Sequence, residues 1–385
     1  MRIGLNATCF DARPSGANQR FRTLYGAVIR RNPSIRFLIY EPRDYPVARW
    51  FSDAANVEAR RTPLPASGRV ARLLCSLGYW HRAFREDRLD LFESFHLPLI
   101  RASCPSLLTL HDLRMLRPEG GWPGRTLGRV VLRQALRSAD HVITVSDSMR
   151  EEILAFRPGT AISTVYNAVD AESFRLTDLA ASGGSRHRDL PEAYMLTVGH
   201  LEARKNLLLL IDAVARLRDQ GLDRPLVIAG RDGGMRHALI AHVAARGLGG
   251  HVRLIEDADD ADIRRLYAGC RLVVVASRYE GFGIPVVEAM AARRPLVTSD
   301  IPVFGELTGG QGRHFPVDDP SAAAAAIESV WSDPREQDRL VAQGDARVDA
   351  FAVHRLADRI SALYRQLSGD VPRISAMRER AAATE

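Results

Sequence analysis

The sequence predicts an α/β protein of two doubly wound domains, and three observations carry that prediction. Short apolar, β-branched runs stop at polar, glycine-containing turns and resume with helical spacing, the pattern of a strand, a loop and a helix. Such junctions occur at residues 1–30 and again at 272–292, in opposite halves of a 385-residue chain. At that length and with 46% hydrophobic residues the chain can bury two separate cores. The stretch 172–191, with A-A-S-G-G-S and mixed charge, reads as the connection. The expected layout is a first domain over 1–178, a linker over 179–192 and a second domain over 193–354.

In the first half, residues 1–7 form the opening strand, Pro14, Ser15 and Gly16 a loop, and residues 17–30 a helix with apolar Phe21, Leu24, Val28 and Ile29. A glycine loop after a first strand lies at the carboxyl edge, where ligands bind in such sheets, although one glycine alone is weak evidence. After a strand at 37–40, residues 70–84 turn helical, with Val70, Leu73, Leu74, Leu77, Trp80 and Phe84 in one stripe beside Arg69, Arg72, Arg82 and Arg85. Such a stripe is usually core, but a basic amphipathic helix can also lie on an anionic membrane. Strands follow at 89–94 and 106–110, the second ending at His111. A lone histidine is more often structural, and only its place at a strand end raises it. Residues 126–138 make another arginine-studded helix, and Ser146 or Asp147 can cap the helix after the strand 141–146.

The second half opens with a strand at 194–198, Gly199, and L-E-A-R-K-N. Lys205 is the only lysine of the chain, among 52 arginines. An ammonium beside the fork of Arg204 suits phosphate oxygens, and at a helix start it is unfavourable unless an anion is near. A helix follows at 206–218 and a strand at 226–230, the latter ending in G-R-D-G-G with Gly230 first. The strand 252–255 precedes an acidic loop at 256–262. The run 272–276 leads into S-R-Y-E-G-F-G-I-P-V-V-E-A-M-A-A-R-R-P-L-V-T-S. Gly281 and Gly283 allow main-chain N–H groups to face a ligand, and Pro285 fits the first helical turn. The unpaired N–H groups of a helix start favour oxygen-rich or negative ligands. Glu280 and Glu288 frame this turn, and a glutamate there is also mildly favoured by the helix dipole alone. A strand at 296–299 and helices from 321 and 353 complete the half.

The segment E-G-F-G-I-P-V-V-E-A-M-A resembles the signature of retaining glycosyltransferases of family four, and the likeness extends over nearly the whole chain. That resemblance implies the GT-B fold, two facing Rossmann-like domains with a nucleotide-sugar cleft between them. It gives Glu280, Gly281, Phe282, Gly283 and Ile284 to the donor sugar, and Glu288 to the ribose hydroxyls. T-L-H-D-L resembles the element whose histidine contacts the sugar near the reacting carbon, here His111. G-x-x-x-x-R-K-N resembles the diphosphate clamp, here Gly199, Arg204 and Lys205, with Gly230 on the nucleotide side and the Gly16 loop over the phosphates. The acidic loop would lie near the base, and a last helix, 355–367, would return to the first domain. The chain departs from the family pattern at Ala168 and at Arg293 and Arg294, where glycine or small residues are usual. The implied activity is metal-independent transfer of a hexose, mannose favoured, from a nucleotide-diphosphate donor such as GDP-mannose. The acceptor would be a saccharide or lipid-linked saccharide in surface-polysaccharide or lipopolysaccharide synthesis. A sugar-nucleotide epimerase or hydrolase, or a non-catalytic nucleotide-sugar-binding protein, remains an alternative.

Composition narrows the rest. No apolar run reaches the ~18 residues that span a membrane, and the first ten residues read as a strand, not a signal peptide, so a cytoplasmic place is expected. Cys9, Cys75, Cys104 and Cys270 have no metal-ligand spacing and read as free thiols. Residues 1–195 carry 28 arginines against 20 acids, while residues 196–385 carry 25 basic residues against 26 acids. The basic excess has no nucleic-acid-module pattern, so peripheral contact with an anionic membrane is the expectation, beside that of a merely solvated face.

Overall fold

The computed structural model describes residues 1–13, 15–66, 78–117, 121–175 and 190–369, with the backbone alone for 121–124. The chain divides into two compact units, one made of residues 1–168 and the chain from Val353 onward, the other of Val169–Ala352.

The first unit holds β1 (Arg2–Asn6), β2 (Arg36–Glu41), β3 (Val57–Arg61), β4 (Leu91–Ser94), β5 (Ser106–Leu110), β6 (His141–Thr144) and β7 (Ile162–Thr164). All pair in parallel, in the order β3-β2-β1-β4-β5-β6-β7. The second holds β8 (Met195–Val198), β9 (Leu226–Ala229), β10 (Val252–Ile255), β11 (Leu272–Val275), β12 (Leu296–Ser299) and β13 (Arg313–Phe315). Its order, again parallel, is β10-β9-β8-β11-β12-β13. Each sheet therefore reverses direction of growth once, at β1/β4 and at β8/β11, and in such sheets ligands bind outside the carboxyl ends at that switch point. Strands such as β5 and β11 are buried at every position, as parallel strands covered on both faces must be.

In the first unit the sheet packs on the helical run Gly16–Arg31, which contains a π-helical turn at Phe21–Tyr25, and on the last helix, Val353–Gly369. Leu356, Ile360 and Tyr364 of that helix enter the first core, so the returning helix is part of the first unit. In the second unit Leu207–Asp219 and Pro320–Trp331 cover the sheet with leucine, alanine and valine.

Several expectations need correction. The division falls at Ala168/Val169 and not at 178, because the helix Ala171–Arg175 sets the ring of Phe174 edge-on to Tyr267, 5.6 Å away, within the second unit. The expected linker 179–192 lies almost wholly outside the described residues, as do the tail from 370 onward and Cys75. The acidic loop continues only to Asp259, whose side chain accepts from the amides of Ala261 and Asp262 while Asp262 answers to the Asp259 amide, starting the helix Asp260–Gly269. These acids therefore serve a capping box. Of the stripe at 70–84, residues 70–77 lie outside the described residues, while Trp80, Ala83 and Phe84 pack on Leu38, Tyr40 and Phe92 and belong to the core.

The departures at Ala168 and Arg293 have different outcomes. Ala168 is buried in the first core without a left-handed backbone, so the absent glycine costs nothing there. Arg293 has φ +54° just beyond the helix Ile284–Ala291; its amide donates to Met290 and that of Arg294 to Ala289, the paired bonds of a Schellman end. The left-handed residue of that motif is usually glycine, and a side chain there costs about 1 kcal/mol or more. Its exposed ion pair with Asp345, 2.8 Å, returns little. Arg293→Gly should therefore raise stability by about 1 kcal/mol in urea denaturation; an unchanged or lower midpoint would show that the ion pair outweighs the backbone cost.

Candidate functional site

At the switch point of the second sheet the backbone is folded tightly. Gly230 ends β9 with φ +158°, and a Cβ there would stand 1.9 Å from the Gly199 carbonyl oxygen. Gly199, φ +145°, lets the Lys205 stem pass against it. A short helical turn, Ala203–Lys205, follows, and Asn206 then takes a left-handed conformation, φ +56°, its side-chain amide donating to Val317 O at 2.7 Å. The effect is to aim Arg204 and Lys205 at the carboxyl end of β11.

There they meet Glu280. Lys205 Nζ donates to Glu280 Oε1 at 2.6 Å, Ser277 Oγ donates to the same oxygen at 2.8 Å, and Arg204 NH1 lies 2.6 Å from Oε2. Arg204 Nε donates in turn to Glu202 Oε2 at 2.6 Å. Burial by itself would push the Glu280 carboxyl up, but Lys205 and Arg204 outweigh it and hold the group below the usual carboxylate range. Burial likewise disfavours the Arg204 cation, and Glu280 and Glu202 more than restore it. The anion that the lone lysine called for is thus supplied by the chain. Ser299 Oγ, donating to Ser277 O at 2.6 Å, fixes the turn from below.

The turn then enters Ile284–Ala291. Gly283 caps it with φ +112°, where a Cβ would come within 2.7 Å of the Phe304 ring. Phe282 is buried against the Phe351 ring, 5.9 Å between centroids. Gly281 and Ile284 flank this cap, and Pro285 occupies the first turn. One turn on, Glu288 is buried, and the hydroxyl of Tyr267 donates to its Oε2 at 3.1 Å. Gly199, Arg204, Lys205, Gly230 and residues 280–288 are therefore gathered on the carboxyl side of one sheet.

Gly16 and His111 belong to the first unit. Gly16 begins the helix Gly16–Arg20, capped by Ser15, whose hydroxyl accepts from the Asn18 amide at 3.1 Å. His111 follows β5; its Nε2 is buried and has no hydrogen-bond partner among the described residues. Burial, helped by the nearby charge of Arg20, lowers its pKa to about 3, so the imidazole is neutral at physiological pH. Arg20 itself is fully buried, and its NH1 donates to the carbonyls of Val165 and Tyr166 and to Asn167 Oδ1. Beside it Glu93 accepts from the hydroxyls of Tyr25, Tyr364 and Thr109.

Residues 185–347 match the family described as "Glycosyl transferases group 1", and residues 14–173 that described as "Glycosyltransferase Family 4". The chain is 32% identical over 246 residues to the lipopolysaccharide core biosynthesis mannosyltransferase LpcC of Rhizobium leguminosarum bv. viciae, across 61% of this chain and 67% of that one. The chain belongs to glycosyltransferase family four. It is also 33% identical over 242 residues to the glycogen synthase of Mycobacterium tuberculosis, 61% of this chain, and spans only 56% of that relative's length. The solved structure of Anabaena HepE, in complex with UDP and glucose, superposes with a TM-score of 0.75 at 20% identity, over 95% of this chain and 100% of the other. Both Rossmann-like units are thus those of the GT-B fold.

Within this family-four chain, the partners that the sequence alone did not single out are Tyr267, Glu202, Arg20 and Glu93. Tyr267 meets Glu288 across 21 positions and Arg20 meets Val165 across 145, separations at which no local pattern operates. Ser277 lay inside the motif, but only the fold shows its hydroxyl on Glu280.

Two outcomes follow from these geometries. Lys205→Met leaves Glu280 buried with less compensating charge and should cost about 3 kcal/mol, whereas Lys205→Met with Glu280→Gln should recover at least ~1 kcal/mol of it; strictly additive losses in denaturant titrations would mean that the pair is not coupled. For His111 the folded pKa lies below the unfolded value of about 6.5, so the unfolded chain takes the proton first. Stability should therefore fall as pH drops from about 6.5 toward 3, by at most ~1.4 kcal/mol per pH unit from this residue. His111→Gln should flatten that part of the acid limb, and an identical limb in both proteins would show that His111 titrates normally.

Proposed function

We propose that this family-four chain transfers a hexose, mannose favoured, from a nucleotide-diphosphate sugar to a saccharide or lipid-linked saccharide, with retention at the anomeric carbon. The observation that carries the reading is the buried Glu280–Lys205–Arg204 cluster at the switch point of the second sheet. In the transfer the bond from the anomeric carbon to the donor phosphate oxygen breaks and one to the acceptor oxygen forms on the same face. The acceptor's proton passes to the leaving diphosphate. Negative charge then grows on that diphosphate, and cations fixed in advance stabilise it without reorganisation.

Glu280 supplies that fixation, since it holds both cations in place before any donor arrives. The start of Ile284–Ala291 adds main-chain N–H groups suited to oxygen-rich groups of the donor. Glu288, held by Tyr267, is a carboxylate suited to paired ribose hydroxyls. A neutral His111 suits a hydrogen bond to a sugar hydroxyl and is unsuited to donating a full proton charge. With Arg204 and Lys205 in this role the reaction needs no divalent metal. Mannose is favoured by the name of the Rhizobium relative, and surface-polysaccharide or lipopolysaccharide synthesis by the same name. GDP-mannose is the donor to try first, and UDP-sugars second, since HepE was solved with UDP.

The test is a thermal-shift panel of GDP-, UDP-, ADP- and dTDP-sugars without metal. A donor at 100 times its dissociation constant should add about 2.7 kcal/mol of stability, and the Lys205→Met, Glu280→Gln protein should lose that response while remaining folded. Turnover of the matching donor without any acceptor would instead favour an epimerase or hydrolase, and no shift with any sugar nucleotide would overturn the reading.

A further inference from the structure

Two turns at the carboxyl edge of the first sheet have the same construction, one after β1 and one after β5. After β1, Asp11 Oδ1 accepts from the Arg13 amide at 2.8 Å and its Oδ2 from Arg13 Nε at 2.8 Å. After β5, Asp112 Oδ1 accepts from the Arg114 amide at 3.1 Å and its Oδ2 from Arg114 Nε at 2.7 Å. In each D-x-R turn the aspartate thus fixes both the backbone and the guanidinium of the arginine two residues on. β1 and β5 flank β4 in the sheet, so the strands that lead into the two turns run about 10 Å apart. Both turns are held from beneath. Asn18, 8% exposed, donates from Nδ2 to the carbonyls of Asp11 and Arg13 at 2.9 and 2.8 Å, and Leu113, inside the second turn, is buried. The arginine side chains nevertheless stay outside, 76% exposed at Arg13 and 54% at Arg114.

Exposed ion pairs return little stability, because holding a long side chain still costs about what the pair yields. Two such pairs at the edge where doubly wound sheets bind ligands act instead as cations set in place before a ligand arrives. A guanidinium carries five donors, more than one aspartate takes up, and their planar spread suits phosphate oxygens. Behind the second turn the edge holds more of the same chemistry. His111 directly precedes Asp112, and its buried Nε2 has no hydrogen-bond partner among the described residues; nor have Nε and NH2 of the fully buried Arg20 near it. We propose that Arg13 and Arg114 bind a phosphate group of the acceptor at this edge, and that Asn18 is the positioning residue that holds Arg13 there. As a site for the acceptor it rests on the transferase reading, which it deepens: the acceptor is then a phosphate ester, either a sugar phosphate or a lipid-linked diphosphate.

The experiment is titration calorimetry of the full chain with glucose-6-phosphate and with farnesyl diphosphate, glucose serving as the neutral control. Each is also titrated into the Lys205→Met, Glu280→Gln protein, which tells binding at the cations of the second unit apart. At least one ester should bind and glucose should not, and the binding should weaken with salt, because exposed charges are screened. The ester that binds identifies the source of the phosphate, saccharide or lipid. Arg13→Gln and Arg114→Gln should each weaken binding about fivefold, and together roughly twenty-five-fold. Both should keep the wild-type melting midpoint and donor-induced shift, which separates a site effect from misfolding. Asn18→Ala should weaken binding as Arg13→Gln does, and the two combined should weaken it no further, since Asn18 acts through Arg13. No binding of either ester, equal binding of glucose, or unchanged affinity in the double arginine variant would overturn the site. Binding lost in the Lys205→Met, Glu280→Gln protein but kept in the double arginine variant would overturn it in favour of the second unit. Additive losses from Asn18→Ala and Arg13→Gln would overturn the positioning role. A donor shift that is absent while the esters bind as described would fail the transferase reading and leave the phosphate site standing.

Discussion

The second unit is arranged around one constraint, a carboxylate out of water. An isolated buried carboxylate takes up a proton sooner than remain charged, and Glu280 stays ionised because Lys205 and Arg204 reach it. That reach sets demands further out. The lysine stem must pass Gly199, Gly199 must lie against Gly230, and Asn206 must turn left-handed before the next helix can begin. On the other side Ser277 must bond the same oxygen and Ser299 must hold Ser277. Buried ion pairs contribute little net stability when compared with apolar packing. Their presence here, at the carboxyl edge where doubly wound sheets bind ligands, fits the role proposed for the cations better than a contribution to stability.

The first unit treats charge differently at its own carboxyl edge. Arg20 is fully buried, yet Nε and NH2 have no hydrogen-bond partner among the described residues, and burial lowers its affinity for the proton. Glu93 is fully buried as well, and burial raises its pKa although three hydroxyls donate to it. The Tyr364 hydroxyl brings the last helix into this group and so ties the end of the described chain to β4. Burial keeps the His111 imidazole neutral, and the positive charge of Arg20 nearby adds to the effect. One edge thus presents paired cations and the other a neutral ring.

How much of this was legible in the sequence depended on the range of the interaction. The β11 turn and the following helix were readable because strand, glycines and proline act on their own neighbours. Lys205 was readable for another reason, its uniqueness in a chain of arginines. The edge strands β3 and β13 were not, since each is short and carries charged residues that mask the alternation. The domain boundary was misplaced because a polar, glycine-rich stretch looks like a linker even where the five residues before it, ending at Arg175, dock through one phenylalanine. The acids at 256–262 were read as one loop, whereas Asp259 and Asp262 form a capping box that already begins the next helix. Glu280 stood out within its motif, but its lysine partner stands 75 positions away, and only folding brings them together.

Two stretches of the first unit share one sequence pattern and part company in the fold. Both the helix Tyr79–Asp87 and the helix Gly121–Ser138 interleave arginines with large apolar residues, and periodicity gives each an apolar side. Periodicity says that such a side exists, not what lies against it. In Tyr79–Asp87 the side is filled by Leu38, Tyr40 and Phe92, so Trp80 and Phe84 are core. In Gly121–Ser138 the core takes Leu132, Ala135 and Leu136 and leaves Leu127 and Val130 outside, while Arg129 and Arg133 lie over the ring of Phe156. The first arrangement explains itself through packing. The second keeps part of its apolar side in solvent, a difference that only the packing of the rest of the unit decides.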